Sequence, residues 1–475
     1  MIHVKEEEIR RLVETVVENL DRASLPGLQA EPQKNAGIFS DIEQAISAAE
    51  TAHHRLMALS LASRSTLISA MRQAVEEHNE TLAKRACEET GRGYWPDKVL
   101  KNHLVGSKTP GTEDLEALSY SDDHGLTLVE RAPYGVIGAI IPVTNPSSTV
   151  INNGISMIAG GNAVVFNPHP SAKRVSCLTI SLLNEAIVTA GGPPNLLTAI
   201  ADPSIESAQA LMRHPRIRLL VVTGGPAVVK AAMNSGKKVI AAGPGNPPCV
   251  VDESADIEKA GRDIVQGAGF DRNIICICEK EILAVASIAD RLKQVMTAHG
   301  AFELNREQST RLTELVISKA GGPGTPGVPN KDYVGKSPAF IAAQIGLSVP
   351  DSTRILLCET EQQHPLVWTE QLMPVLPLVR MPHVDDAIDL AFQCEHGFRH
   401  TAVMHSLHVA KLSKMARTMN CSIFVKNGPA YSGLGQGGAG FSSFTIASPT
   451  GEGLTRARTF TRERRCTLVE YFRIV

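Results

Sequence analysis

The chain has 475 residues, with 47 Lys and Arg against 49 Asp and Glu, and a formal net charge of −2. That length accommodates two or three domains with full-sized cores, and the balanced charge gives no electrostatic case for binding nucleic acid or an anionic membrane. The longest apolar run, Val136 to Val143, is far short of the ~20 residues of a membrane span, and the nine cysteines do not form a secreted disulfide framework, so a soluble protein of a reducing interior is expected.

Residues 1 to 20 set Ile9, Leu12, Val13, Val16, Val17 and Leu20 on one stripe, opposite Glu6, Arg10, Glu14 and Glu18. This predicts an amphipathic helix with Glu6, Glu7 and Glu8 at the positive end of its dipole. Acids stand where a signal peptide would carry basic residues, so no leader is read here. Residues 21 to 37, with Pro26, Gly27 and Pro32, read as a flexible tether. From Phe39 to about Ala117 the apolar spacing is helical, broken at Gly91 and Pro96. Strand-like runs then alternate with helical stretches: Gly135 to Pro142, Ala163 to Phe166, Leu196 to Ile200, Leu219 to Val222, Val239 to Ala241 and Cys249 to Val251. Such alternation predicts βαβ units and an α/β fold with a parallel sheet. A second α/β region follows to about residue 445. Within it Gly321 to Pro329 reads as a loop that borders the active site, and Thr467 to Phe472 reads as a final strand.

Cys276 lies in Phe270-Asp271-Arg272-Asn273-Ile274-Ile275-Cys276-Ile277-Cys278-Glu279-Lys280-Glu281, a polar turn running into an apolar stretch. Covalent catalysis on a carbonyl needs a thiol so placed, although a free Cys is more often a small buried hydrophobe. Cys278 is the rival, because in an extended stretch the two side chains share a face, and spacing does not choose between them. A thiol of ordinary pKa, ~8.5, is only a few per cent ionised at neutral pH, so local hydrogen bonds or a helix N-terminus are expected to lower it. Thr223-Gly224-Gly225, after an apolar run, can present backbone N–H groups and a helix N-terminus to a pyrophosphate, though a Gly-Gly turn exists without any ligand. Gly433 to Gly438 lacks the flanking strand and helix of a dinucleotide loop and is not read as one. No CxxC or HExxH spacing occurs, so no metal is expected.

Cys276 also belongs to an ordered set of landmarks: Pro142-Val143-Thr144-Asn145-Pro146, Gly160 to Pro170, Val222 to Pro226, Ala242 to Pro248, Glu370 to Pro377 and His396 to Val403. This order resembles the aldehyde dehydrogenase superfamily over roughly residues 38 to 475. The Thr144-Asn145-Pro146, Pro168-His169-Pro170 and Gly243-to-Pro248 segments look like its CoA-acylating branch, close to propionaldehyde and acetaldehyde dehydrogenases of bacterial microcompartments. The resemblance implies two Rossmann-like domains, with 38–118 and 137–245 binding the cofactor and 246–445 carrying the thiol. It adds a β arm, 119–136 and 446–475, that pairs subunits into homodimers or homotetramers.

By the same resemblance Cys276, rather than Cys278, is the nucleophile. Asn145, or Thr144 one residue before it, is the side-chain donor to the oxyanion, joined by the backbone N–H of Cys276. Glu370 grips the nicotinamide ribose, and Thr144, Asn167, Pro168, His169, Thr223, Gly224 and Gly225 lie at the cofactor. Asn167 stands where many relatives have a lysine, which favours NAD over NADP. Ala242 stands where hydrolytic relatives carry a glutamate base; its absence fits thiolysis by coenzyme A, since a thiol is more acidic than water by several pK units. Glu279 is the candidate replacement base. The implied activity is short-chain aldehyde, CoA and NAD⁺ giving acyl-CoA and NADH, against two rivals: a hydrolytic enzyme yielding the free acid, and a silent shell-binding relative. The tethered helix is expected to dock on microcompartment shell proteins, which places the protein in the cytoplasm inside such a compartment.

Overall fold

A computed structural model describes residues 36–475; the predicted helix 1–20 and nearly all of the tether 21–37 lie outside the described residues. The described chain opens with β1 (Ile38–Phe39), α1 (Ile42–Met57), α2 (Leu61–Thr90) and α3 (Trp95–Lys108). Asp41 and Ser60 start α1 and α2, each side chain accepting an N–H of the first turn at 3.0 Å, and Gly91 ends α2 in the left-handed region, φ 63°. Next come the hairpin β2 (Leu118–Asp122) and β3 (Gly125–Pro133), then β4 (Val136–Ile140), α4 (Pro146–Ala159), β5 (Ala163–Asn167), α5 (Lys173–Thr189), β6 (Leu197–Ile200), α6 (Ile205–Arg213), β7 (Ile217–Thr223), α7 (Pro226–Met233) and β8 (Lys238–Ala242). The first sheet is parallel with order β1-β6-β5-β4-β7-β8. The chain steps from β4 outward through β5 to β6, then returns across to β7. The order therefore reverses between β4 and β7, the switch point where open α/β sheets bind ligands at the carboxyl ends of their strands.

The second region contains β9 (Pro248–Val251), α8 (Ile257–Gly269), β10 (Glu281–Val285), β11 (Ala301–Leu304), β12 (Ile317–Lys319), β13 (Val328–Pro329), β14 (Ile355–Thr360), β15 (Val375–Met381), β16 (Thr401–His405) and β17 (Ile423–Lys426). Seven of these strands make a parallel sheet of order β11-β14-β15-β10-β9-β16-β17, and β12 pairs with β13 across the predicted Gly- and Pro-rich loop, whose last two residues form β13. One apolar core runs through both sheets, with Ile137, Phe166 and Leu219 in the first and Cys249, Ile282 and Val403 in the second. Each is fully buried, which is why these strands read as continuous apolar runs rather than alternating ones. No helix among the described residues is long and apolar enough to cross a membrane.

The arm differs from its expected bounds. β18 (Ile446–Ala447) and β19 (Gly453–Leu454) pair with each other beside the first sheet, and Thr450 Oγ1 accepts the N–H of Ala241 at 3.0 Å. The segment from β18 to Thr450 thus lies along the outer edge of β8, an edge that would otherwise expose unpaired backbone groups. Only β20 (Thr461–Val469) joins β3 and β2, in an antiparallel three-stranded sheet. The final strand begins six residues earlier than predicted and ends at Val469, where Glu470 and Phe472 turn to φ 71° and 80°.

Candidate active site

Six loops of the two sheets carry the candidate residues. From the first sheet come the carboxyl ends of β4, followed by Thr144 and Asn145, and of β7, followed by Gly224 and Gly225. From the second sheet come residues just before strands: Gly245 before β9, Cys276 before β10, Glu370 before β15 and His400 before β16. The site therefore joins C-terminal strand ends of one sheet to N-terminal strand ends of the other.

Asp256 caps α8, accepting from the Lys259 N–H at 3.1 Å. After Gly269 the backbone enters the left-handed region at three successive side-chain-bearing residues, Asp271, Arg272 and Asn273, with φ 46°, 55° and 61°. Such backbone costs roughly 1–2 kcal/mol per residue, and a buried network offsets it. The Asp271 carboxylate accepts from the Tyr94 N–H at 2.6 Å, from Lys98 Nζ at 3.0 Å and from Lys101 Nζ, while its own N–H donates to Asp97 at 2.7 Å. Asn273 Nδ2 donates to the carbonyls of Ala268 at 2.8 Å and Glu279 at 2.9 Å, and its Oδ1 accepts from Lys280 Nζ at 2.6 Å.

This clamp separates the two thiols. The stretch after Asn273 is not extended: the Cys278 N–H returns to the Ile275 carbonyl at 3.2 Å, a turn. Cys278 is fully buried, with Sγ 3.9 Å from the Phe270 carbonyl, whereas Cys276 is half-buried. The expectation that the two side chains share a face holds only for a strand, and no strand forms here.

The Cys276 thiol is pushed up to about 12, first by burial and then by the Glu370 charge; Lys280 and its own backbone N–H pull the other way. This reverses the expectation of a lowered pKa. Burial disfavours the charged thiolate, and a neighbouring anion disfavours it further. Glu370 is raised to about 7, by burial against the opposing charge of Lys280 and the Gly245 N–H, which it accepts at 3.1 Å. Gly245 packs so tightly that a Cβ there would lie 2.9 Å from the Cys276 carbonyl oxygen and 2.9 Å from His400 Cγ. His400 is held neutral, its pKa pulled down to about 3 by burial and then by Lys280. Nδ1 pairs with Thr401 Oγ1 at 2.8 Å, and Nε2 is buried without a partner. In the sequence His400 is only one residue of a landmark segment, with no local signal for its burial against Gly245. Glu279 faces elsewhere: its Oε1 accepts the Ala430 N–H at 2.8 Å, and the carboxylate packs on Gly267. Its charge bears on Cys278 rather than Cys276, so the geometry does not favour it as a base for this thiol.

Asn145 is buried, and it makes no capping bond to α4, contrary to the plain turn use of Asn-Pro. Its Oδ1 accepts from Lys101 Nζ at 2.6 Å and its Nδ2 donates to Thr144 Oγ1 at 3.2 Å. Gly225 precedes α7 with no heavy atom within 4 Å of where its Cβ would stand, and Thr223 Oγ1 pairs with Thr445 Oγ1 at 3.2 Å. Asn167 Oδ1 is taken by Ser207 Oγ at 2.6 Å, so that side chain is tied to α6 rather than free. Pro168 is buried beside it and His169 is exposed, its ring accepting the Ser171 N–H at 3.1 Å. The β12–β13 hairpin reaches the site through the Gly327 N–H, which donates to the Trp368 carbonyl at 2.9 Å. Lys108 Nζ donates to the carbonyls of Gly435 at 2.6 Å and Gly438 at 3.2 Å. That turn therefore offers carbonyls, the opposite of a phosphate cradle.

The aldehyde dehydrogenase family profile matches residues 33–303. Over 473 residues the chain is 48% identical to the acetaldehyde dehydrogenase (acetylating) EutE of Salmonella typhimurium, covering 99% of this chain and 100% of that protein. Rhodopseudomonas palustris propionaldehyde dehydrogenase, solved with bound CoA and an acylated cysteine, is 49% identical with a TM-score of 0.89, covering 91% of this chain and 98% of that one. The propionaldehyde dehydrogenase from the Clostridium phytofermentans fucose utilisation bacterial microcompartment is 47% identical with a TM-score of 0.90, covering 93% and 100%. With identity and fold matching along nearly its whole length, the chain belongs to the aldehyde dehydrogenase family, among its CoA-acylating members.

Proposed function

We propose that this chain oxidises a short-chain aldehyde to its acyl-CoA, with NAD and coenzyme A, through a thioester on Cys276. Cys276 Sγ adds to the carbonyl carbon while the free N–H of Asn145 and the backbone N–H of Cys276 hold the developing oxyanion, a contact typically worth ~10²–10³ in rate per donor. The open position at Gly225 and the start of α7 support binding of a pyrophosphate, and by the resemblance Glu370 would hold the nicotinamide ribose; a bound nicotinamide would supply the hydride acceptor. The acyl group left on Cys276 then passes to the sulfur of CoA: the CoA sulfur–acyl bond forms, the Cys276 sulfur–acyl bond breaks, and the proton of the CoA thiol returns to the Cys276 sulfur.

Ala242 carries the choice of CoA over water. It ends β8, paired in register with Thr223, and a methyl group there cannot take a proton from water. Omitting CoA from the assay tests this: NADH formation should fall to background after the first turnover. Steady formation of the free acid at comparable rates without CoA would show that another group serves as the base.

Two finer readings accompany it. The exposed Tyr120 and Leu468 on the β2-β3-β20 sheet support its pairing with a second copy, which light-scattering mass checks. The amphipathic stripe of residues 1 to 20 supports docking to a microcompartment shell.

A further inference from the structure

Lys101 is 1% exposed, and α3 holds it where its Nζ donates both to Asn145 Oδ1, at 2.6 Å, and to Asp271 Oδ2. Burial pulls this ammonium down to about 8 against the opposing pull of Asp271, so the fold bears a cost in keeping a charge here. Asp271 does not depend on Lys101 alone, since Lys98 donates to the same carboxylate oxygen at 3.0 Å and the Tyr94 N–H to the other at 2.6 Å. Asn145 Oδ1 has Lys101. An Asn amide carries one acceptor oxygen and two N–H groups. With Oδ1 turned to an ammonium the amide cannot flip, because flipping would set NH₂ against Nζ. One N–H is then spent on Thr144 Oγ1 at 3.2 Å, and one is left over.

We propose that Lys101 is a positioning residue for the oxyanion donor: it fixes the Asn145 amide with nitrogen toward the thiol, and its charge polarises the amide so that the remaining N–H donates more strongly. This rests on the reading of Asn145 as the oxyanion donor.

The test is the rate of the first-turnover NADH burst in the full-length enzyme, with aldehyde KM and Tm measured alongside. Asn145→Ala should lower the burst rate by ~10²-fold, as loss of one donor does. Lys101→Gln should lower it by about 10-fold with KM held within about 3-fold, and by less than about 2-fold once Asn145 is already Ala, the signature of two residues acting as one. Lys98→Gln weakens the same Asp271 cluster without touching Asn145; it should lower Tm as much as Lys101→Gln yet keep the burst within about 3-fold of wild type. A wild-type burst in Lys101→Gln, full multiplication of the two losses, or an equal loss in Lys98→Gln each overturns the proposal. A wild-type burst in Asn145→Ala overturns the donor reading beneath it. Should Lys101→Gln fail to fold, Asp271→Asn leaves the Lys101–Asn145 bond in place: a retained burst supports the proposal, and a loss as large as that of Asn145→Ala overturns it.

Discussion

Glu370 and Cys276 oppose each other's ionisation. Each is half-buried, and the carboxylate is the largest charge raising the thiol. Glu370 itself is raised to about 7, so its negative charge develops as the pH rises through that value, and the thiolate becomes harder to form over the same range. Glu370→Gln removes the like charge while an amide can still accept the Gly245 N–H. Alkylation of Cys276 by iodoacetamide at pH 7 should therefore rise roughly 3- to 10-fold, since a like charge raises a thiol pKa and its removal lowers it. The thiol should still titrate above ~8.5, because burial is unchanged. An unchanged or slower rate in Glu370→Gln would assign the whole elevation to burial.

On α3, positions 98, 101, 102 and 105 form the inward stripe of a packed helix, but three of them are Lys98, Lys101 and Asn102, all buried. A sequence read by hydropathy assigns lysines to the solvated face, so the polar seam between α3, α4 and the Cys276 turn is hidden in periodicity. The loop before β9 meets a steric demand instead, imposed by residues distant in sequence. Gly245 leaves no room for a Cβ between the Cys276 carbonyl and the His400 ring. Gly245→Ala must displace backbone or ring by tenths of an ångström, and misplacement of the reacting groups on the scale of 1 Å costs ~10²-fold. The expected outcome is a burst rate lowered by about 10- to 100-fold with a small loss in Tm; a wild-type burst would show that this contact relaxes without moving the thiol.

At the scale of the molecule, the candidate residues come from loops of both parallel sheets, and none of them lies on the antiparallel β2-β3-β20 sheet. In sequence, residues 21 to 37 lie between the amphipathic stripe of residues 1 to 20 and the first strand, β1. Deleting residues 1 to 20 should leave specific activity within about 2-fold, because every candidate catalytic and cofactor-binding residue lies between residues 144 and 400, and should abolish co-localisation with a microcompartment shell. An enzyme that loses activity on this deletion would place the helix in the catalytic fold.

The alternation of apolar runs with helical spacing was sufficient for the parallel α/β class, because strands buried on both faces must be apolar throughout. The ordered landmarks likewise pointed to Cys276, Asn145, Glu370 and the methyl at Ala242 as candidates, since each is a residue type at a fixed place along the chain. What tertiary structure decided are properties of neighbours in space. The turn after Asn273 buries Cys278 and leaves Cys276 in the site, Ser207 occupies Asn167, and Ala430 turns Glu279 away. Lys101 meets Asp271 across 170 positions of sequence. Thiol ionisation belongs with these, because a pKa is set by the charges and solvent a fold brings within a few ångströms, and local sequence records neither.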